Sequence, residues 1–280
     1  MSLEHLSTVM PRALAPLPVT SRAPTLVQTH RSPRTLPELI ELFEANEALD
    51  ENDEVVSLSD LRLSDDDRLD LPDRRRLAFT EWSRRQVGTL LGLRWDRYFE
   101  SSTPLQRADE LNRRFVRATG TVKIRSRRHA TTGNDDAGVL RAVVSPGYTP
   151  ISDAMVGRLL ADALSPVEPE LCLVRHALTP MTTSYVVKVG QVFRHGDDHE
   201  VGDVWGGILV RNSGVGFASL MVSLSLTRLL CKNGMTAPVA DPMLLRRAHR
   251  GLDEQRIRER LAQGLGTAPA QLAQGVATLR

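Results

Sequence analysis

Three sets of residues in this sequence have the types and spacing that chemistry requires. Cys231 is followed by Lys232, and a cationic neighbour can lower the pKa of a thiol and favour the nucleophilic thiolate. His195 and His199 stand four residues apart with two aspartates between them, a spacing that can bind zinc when the ligands share a helix. Basic residues are concentrated in "KIRSRRH" and "RRAHR", and rows of such groups suit a phosphate backbone.

The surroundings of the cysteine and of the histidine pair favour structural roles. No local catalytic signature surrounds Cys231, so we interpret it as a small apolar residue packed where a strand meets the next element, with a Cys-dependent activity as a minor alternative. The "HGDDH" stretch is typical of a hairpin tip, which would not hold two imidazoles on one metal. Walker, nucleophile-elbow and zincin motifs do not occur. We therefore predict no catalytic residue, no metal site and no cofactor.

The two basic clusters predict contact with nucleic acid. In an extended strand Lys123, Arg125 and Arg127 would share one face. The formal net charge of the whole chain is only +2, so two clusters indicate that positive charge is segregated onto part of the surface. The residues that we expect to contact phosphates are Lys123, Arg125, Arg127, Arg128, Arg246, Arg247 and Arg250.

A second kind of DNA contact is possible in the region "TEWSRRQVGTLLGLRWDRYFE". It reads as a helix, a turn containing Gly92 and a short second helix, which is the layout of a helix-turn-helix. The second helix would carry Arg94, Arg97 and Tyr98. A duplex-binding regulator is therefore one alternative, and a packing subdomain is the other.

The number of cysteines and the length of the apolar runs predict the cellular compartment and the absence of membrane association. The two cysteines, Cys172 and Cys231, do not form a disulfide framework, which indicates a reducing compartment and a cytoplasmic location. No apolar run approaches the roughly 20 residues that cross a bilayer, so we expect no membrane association.

The periodicity of apolar residues predicts an α+β fold, in which an antiparallel sheet with packed helices is preceded by a small helical unit and a disordered N-terminal arm. Leu220, Val222 and Leu224 alternate with polar residues, as in a half-buried strand of an antiparallel sheet. We expect a largely disordered arm and acidic linker over 1–72, a helical subdomain over 73–120, an antiparallel α+β core over 121–240 and C-terminal helices over 241–280.

Several stretches together resemble one family. They are "EWSRRQVGTLLGL", "ADELNRRF" and above all "GGILVRNSGVGFASLMVSLSLTRLLCKNGM". The sequence is similar to the phage- and plasmid-related family of unknown function found in prophages, plasmids and archaeal mobile elements. The residues that match its motif, and to which we assign structural roles, are Asn212, Ser213, Gly216, Arg228, Cys231, Asn233 and Gly234. Gly214 stands where the family has a glutamate.

The resemblance implies a fold and a mobile-element setting, not an enzymatic mechanism. Its layout is distantly similar to that of phage single-strand annealing proteins, on fold analogy alone. Together with the basic clusters it predicts a non-enzymatic protein that binds single-stranded DNA, assembles as a homo-oligomer and takes part in annealing or recombination. A partner-binding or host-modulating protein without nucleic acid is the main alternative.

Overall fold

Helices and strands combine in an α+β fold, as the sequence predicts. The computed structural model describes residues 32–93, 101–128, 138–166, 168–193, 204–229, 236–240, 243–251 and 254–277. The helices of these residues are α1 (Leu36–Glu47), α2 (Glu81–Leu90), α3 (Pro104–Arg117), α4 (Asp153–Leu164) and α5 (Glu254–Ala277).

The first sheet is built from the N-terminal half of the chain. Its strands are β1 (Glu54–Ser57), β2 (Arg62–Leu63), β3 (Arg68–Asp70), β4 (Arg76–Phe79), β5 (Thr121–Arg127) and β6 (Gly138–Val144). They lie in the order β1-β5-β6-β4-β3-β2, and the β4–β6 pair is parallel. Helices α2 and α3 pack on this sheet around a core that includes Leu69, Leu111 and Phe115.

The second sheet is antiparallel and comes from the C-terminal half. Its strands are β7 (Leu173–Leu178), β8 (Thr183–Phe193), β9 (Val204–Asn212), β10 (Leu220–Leu229), β11 (Thr236–Ala240) and β12 (Met243–Arg247). The order is β11-β10-β9-β8-β7, and β12 also pairs with β10. Helices α1, α4 and α5 cover one face, with Leu39, Leu160 and Leu261 in the shared core.

Local sequence explains where the helices begin. Thr35, Thr80 and Thr103 each cap a helix through a capping box, in which side chain and backbone exchange hydrogen bonds across the first turn. Ser152 caps α4 through its hydroxyl, which accepts from the Met155 N–H at 2.9 Å. Gly92 follows α2 with a φ of 68°, a left-handed conformation that favours glycine where a helix ends.

The predicted arm and linker over 1–72 was wrong for residues 36–70. This segment contains α1 and the strands β1 to β3, because its acidic run has a basic partner. Glu54 of β1 pairs with Ile124 of β5, and the carboxylates of Asp50 and Asp53 bind arginines of β5.

Two other expectations needed correction. The predicted helix beginning near 241 is a strand over 243–247, where Leu245 is buried against the second core, and the helix begins only at Glu254. The predicted helical subdomain over 73–120 includes β4 and shares the core of the first sheet. Strand β10 is buried on both faces over residues 222–225, since Ser223 and Ser225 are as buried as Leu224.

Candidate nucleic-acid interface and a buried arginine cavity

Two arginines of the first basic cluster point into the protein and not toward solvent. The side chains of Arg125 and Arg127 are only 8% and 3% exposed. They line a cavity of about 220 Å³ between the two sheets, together with Arg141 of β6. The expectation that Arg125 and Arg127 contact phosphates of a nucleic acid was therefore wrong. The face of β5 that carries them is covered by the chain around Asp50 and by the turn after β9.

Asp50 lies at the centre of the buried cluster. Its Oδ1 accepts from Nε of Arg127 at 2.5 Å, its Oδ2 accepts from Nη1 of Arg141, and Arg125 Nη2 lies 3.9 Å from the same oxygen. Arg125 has a second carboxylate, because its Nε donates to Asp53 at 3.0 Å. One aspartate thus binds two guanidinium groups and lies 3.9 Å from a third. All three arginines are largely buried, so their mutual repulsion is less screened than it would be in bulk water.

Arg141 shows the consequence of this crowding most clearly. Burial lowers the pKa of Arg141 to about 10; Asp50 opposes the shift, and the neighbouring Arg127 and Arg125 add to it. Asp153 on the other side of the cavity shows the complementary effect. Burial raises the pKa of the Asp153 carboxyl, although hydrogen bonds from Asn212 and Thr183 oppose the shift. The cavity therefore has a cationic side and a side that accepts hydrogen bonds.

The other two members of the first cluster have structural contacts. Lys123 is partly buried and its Nζ donates to the Tyr148 carbonyl at 2.6 Å. Arg128 is exposed, and its Nη2 donates to the Ala48 carbonyl at 2.9 Å. Neither residue lies on the surface that carries the second cluster.

The second cluster does lie on an open surface. Arg246 and Arg250 line a groove at one end of β9, β10 and β12, and Arg211 of β9 joins them. All three are exposed, and none of them forms an ion pair within the described part of the chain. The described lining of this groove holds no aspartate or glutamate. We call it the arginine groove; its residues are Gln86, Val143, Val144, Ser145, Tyr148, Arg211, Gly216, Phe217, Ala218, Ser219, Met221, Arg246, Ala248, His249 and Arg250. Arg247, the remaining predicted contact, is half-buried and is not part of this lining.

An aromatic side chain is exposed in the groove. Phe217 is 49% exposed and packs edge-on against Trp82, with ring centroids 5.0 Å apart. Two hydrogen bonds hold the turn that carries Phe217, residues 213–219. The Ser213 Oγ accepts from the Phe217 N–H at 3.0 Å, and Trp82 Nε1 donates to the Val215 carbonyl at 2.9 Å. The turn thus holds Phe217 in the same lining as Arg211, Arg246 and Arg250.

The floor of the groove is a stacked pair of rings. Tyr148 and His249 lie nearly parallel with centroids 5.1 Å apart. His249 is buried and its Nδ1 accepts from the Ile151 N–H at 3.3 Å. Burial lowers the pKa of His249, so its ring is neutral at pH 7. Burial also raises the pKa of Tyr148 to about 12, although Arg125 opposes this shift.

Three of the described motif residues make hydrogen bonds or turn contacts within the fold. Asn212 Nδ2 donates to the Ile151 carbonyl and to Asp153, at 2.9 and 2.8 Å. Ser213 donates to the Met181 carbonyl at 2.7 Å. Gly216 has a φ of 77°, a backbone conformation that favours glycine.

The rest of the motif is less completely described. Arg228 is in β10, where it pairs with Val204. Cys231, Asn233 and Gly234 lie outside the described residues, as do His195, His199 and the helix-turn-helix residues Arg94, Arg97 and Tyr98.

Sequence reasoning missed Asp50, Asp53, Arg141 and Arg211. A signal for the first three was present, because a lone arginine inside the apolar run "GVLRAVVS" needs a buried partner, and the run "DENDE" supplies carboxylates in the same half of the chain. Arg211 carried no such signal, since its place beside Arg246 depends on how the strands pair.

Within the described residues no group of three or more histidine, cysteine, aspartate or glutamate side chains is arranged to hold a metal ion. In the same part of the chain no helix is both long and apolar enough to cross a membrane. We compared the sequence with protein-family models, with curated proteins and with solved structures, and none of the three comparisons found a match.

Proposed function

We propose that this protein is a non-enzymatic binder of single-stranded DNA that uses the arginine groove. The observation that carries the proposal is the grouping of Arg211, Arg246 and Arg250 in one groove whose described lining contains no carboxylate. Exposed guanidinium groups without ion-pair partners attract phosphates and release condensed counterions when they bind.

The preference for a single strand follows from Phe217. An unpaired base can stack on an exposed aromatic ring, whereas a base inside a duplex offers no accessible face. The 49% exposure of Phe217 and its fixed turn supply that surface at the side of the three arginines. Stacking of this kind is tolerant of sequence, so we expect little base preference.

The proposal includes oligomerisation because one chain offers few phosphate contacts. Three phosphate contacts per chain give weak binding, since proteins with strong salt-dependent affinity make about 6–10. Several copies on one strand would raise the effective concentration of each groove and so the overall affinity. A role in annealing or recombination within a mobile element is the setting that the sequence motifs favour.

One observation favours a second candidate, a protein that binds an acidic partner without nucleic acid. The two basic clusters do not share a surface, because Arg125 and Arg127 line the buried cavity while Arg246 and Arg250 line the groove. A groove with three arginines also fits an acidic peptide.

Fluorescence anisotropy separates the two candidates. A labelled 20-nucleotide single strand is titrated with protein at low salt, and unlabelled single strand, duplex and polyglutamate compete for the complex. The proposal predicts that the unlabelled single strand competes best. Absence of binding to the labelled strand, or stronger competition by polyglutamate than by the single strand, would overturn it in favour of the acidic partner.

A further inference from the structure

The cavity between the two sheets has the features of a binding site separate from the arginine groove. Its 220 Å³ corresponds to about seven times the share of liquid volume that one water takes. Its lining combines guanidinium groups with Thr183, Gly214 and Asp153, and the Gly214 carbonyl accepts a hydrogen bond from Nη1 of Arg125. Space of this size and polarity fits a molecule of a few non-hydrogen atoms.

Two guanidinium groups converge on one point of this cavity. A Cβ atom built on Gly214 would lie 3.6 Å from Nη2 of Arg141 and 3.9 Å from Nη1 of Arg125. An oxygen atom bonded to a group at that point would come within hydrogen-bond distance of both nitrogens. The absence of a side chain at Gly214 is what opens this point to a ligand.

Arg141 has the capacity for a further anion. Its side chain is 14% exposed, and among the described residues its one hydrogen-bond partner is Asp50. That carboxylate also serves Arg127 and Arg125. A guanidinium group carries five N–H donors, so most donors of Arg141 have no acceptor among the described residues, and its Nη2 is the nitrogen closest to the open position at Gly214.

Asp50 is already bound to Arg141, and the other two acidic groups of the cavity, Asp153 and Glu47, do not compete for this position. Both oxygens of Asp153 accept hydrogen bonds, from Asn212 and from Thr183. The two oxygens of Glu47 accept from the Ser152 hydroxyl and from the Ala154 N–H at the start of α4. Each acidic side chain is held by partners of its own, at the end of the cavity formed by α4.

We propose that Arg141 and Arg125, together with the open position at Gly214, form a binding site for a small molecule that carries one carboxylate or phosphate group. The two guanidinium groups hold the oxyanion between them, and charge-assisted hydrogen bonds of this kind are about twice as strong as neutral ones. The remaining atoms of the ligand lie toward Thr183 and Asp153. Because the site touches β5, β6 and the turn after β9, occupancy ties the two sheets together.

Thermal unfolding of the full chain tests the site. Melting temperature is measured against inorganic phosphate and against acetate, with chloride at matched ionic strength as the reference. A ligand that binds only the folded state stabilises it by mass action, and we expect Tm to rise by about 5 °C when the anion exceeds its Kd a hundredfold. A larger effect of phosphate than of acetate would identify the ligand class as phosphate, and the reverse as carboxylate. No rise with either anion beyond that of chloride would overturn the proposal.

Two isosteric variants locate the anion. Gly214→Asp places a carboxylate of the chain itself between the two arginines, and Gly214→Asn places an uncharged group of the same shape there. We expect both variants to lose the response of Tm to the added anion. We also expect Gly214→Asp to melt at a higher temperature than Gly214→Asn. A retained response in both variants would contradict the site.

The arginine groove supplies the second control, because its cations also attract phosphate. The variant Arg246→Gln/Arg250→Gln changes the groove and leaves the cavity intact, so it should keep the full rise in Tm. Loss of the rise in this variant, with retention in Gly214→Asp, would place the anion in the groove and refute the cavity site.

Discussion

Arg211 and Arg246 stand opposite the same residue, Met221, on the two sides of β10. Since neighbouring strands are about 4.8 Å apart, their Cα atoms are separated by roughly 10 Å across the sheet. The strand pairing therefore aligns two cations in a row that the linear sequence does not show. Arg250, beyond the end of β12 and bridged to Tyr148, extends this row.

The number of arginines in the groove predicts the salt dependence of binding. Single-strand binding loses about 0.7 in log K per phosphate contact for each tenfold rise in salt. Three contacts give a slope of about −2 per bound chain, and Arg250→Gln should reduce its magnitude by about 0.7. Anisotropy titrations from 50 to 300 mM salt measure this slope. A slope unchanged by Arg250→Gln would mean that this side chain does not contact a phosphate.

Removal of the exposed aromatic ring should weaken binding without loss of stability. Phe217→Ala is expected to lower the affinity for a single strand by about 1–3 kcal/mol, the range for base–aromatic stacking. Phe217→Trp keeps a stacking face and should retain the affinity. Leu105→Ala removes another exposed apolar side chain, 70% exposed on α3, and serves as the control. Equal affinity of the wild type and Phe217→Ala would refute stacking at this position.

The buried arginine cluster should make Asp50 important for stability. Asp50→Asn removes the charge shared by Arg125, Arg127 and Arg141, and loss of one partner from a buried ion pair costs about 3–5 kcal/mol. Urea denaturation followed by circular dichroism measures the change. Asp66→Asn is the matched control, because the pairs of Asp66 with Arg68 and Arg76 are exposed and should contribute less than about 1 kcal/mol. Similar losses in the two variants would show that the Asp50 cluster adds no special stability.

Because His249 is buried, we expect the folded protein to lose stability in mild acid. Burial depresses the pKa of His249 in the folded protein below the ordinary value of 6.5. At pH values between the folded-state pKa and 6.5, the unfolded chain therefore binds more protons than the folded one. The free energy of unfolding therefore falls as the pH drops below about 6.5. His249→Phe keeps a ring to stack on Tyr148 but cannot titrate.

The comparison of these two proteins isolates the histidine. The stability difference between wild type and His249→Phe should be constant above pH 7 and should shift in favour of the variant as the pH falls toward 5. Parallel pH profiles for the two proteins would show that His249 does not titrate differently on folding.

Patterns that depend on neighbouring residues were predictable from the sequence. Thr80 and Ser152 begin their helices with side-chain caps, as capping chemistry favours for these residue types. The apolar face of β10, with Leu220, Val222 and Leu224 fully buried, is also confirmed.

Features that depend on distant pairing were not predictable. The basic face of β5 was expected to meet solvent, but long-range pairing brings Asp50 and Asp53 over it. A run of basic residues predicts an acidic partner. The run itself does not indicate whether that partner is another molecule or another segment of the same chain. The acidic run that resembled a solvated linker was that partner.

The most direct test of the central claim compares two triple variants of equal charge. Arg211→Gln/Arg246→Gln/Arg250→Gln removes the arginine groove, whereas Arg117→Gln/Arg128→Gln/Arg175→Gln removes three exposed arginines elsewhere. The affinity of each for a labelled single strand is measured by anisotropy at 50 mM salt. We predict that the groove variant binds about tenfold more weakly or worse, while the second variant stays close to the wild type. Equal weakening by both variants, or no weakening by the groove variant, would contradict nucleic-acid binding in the arginine groove.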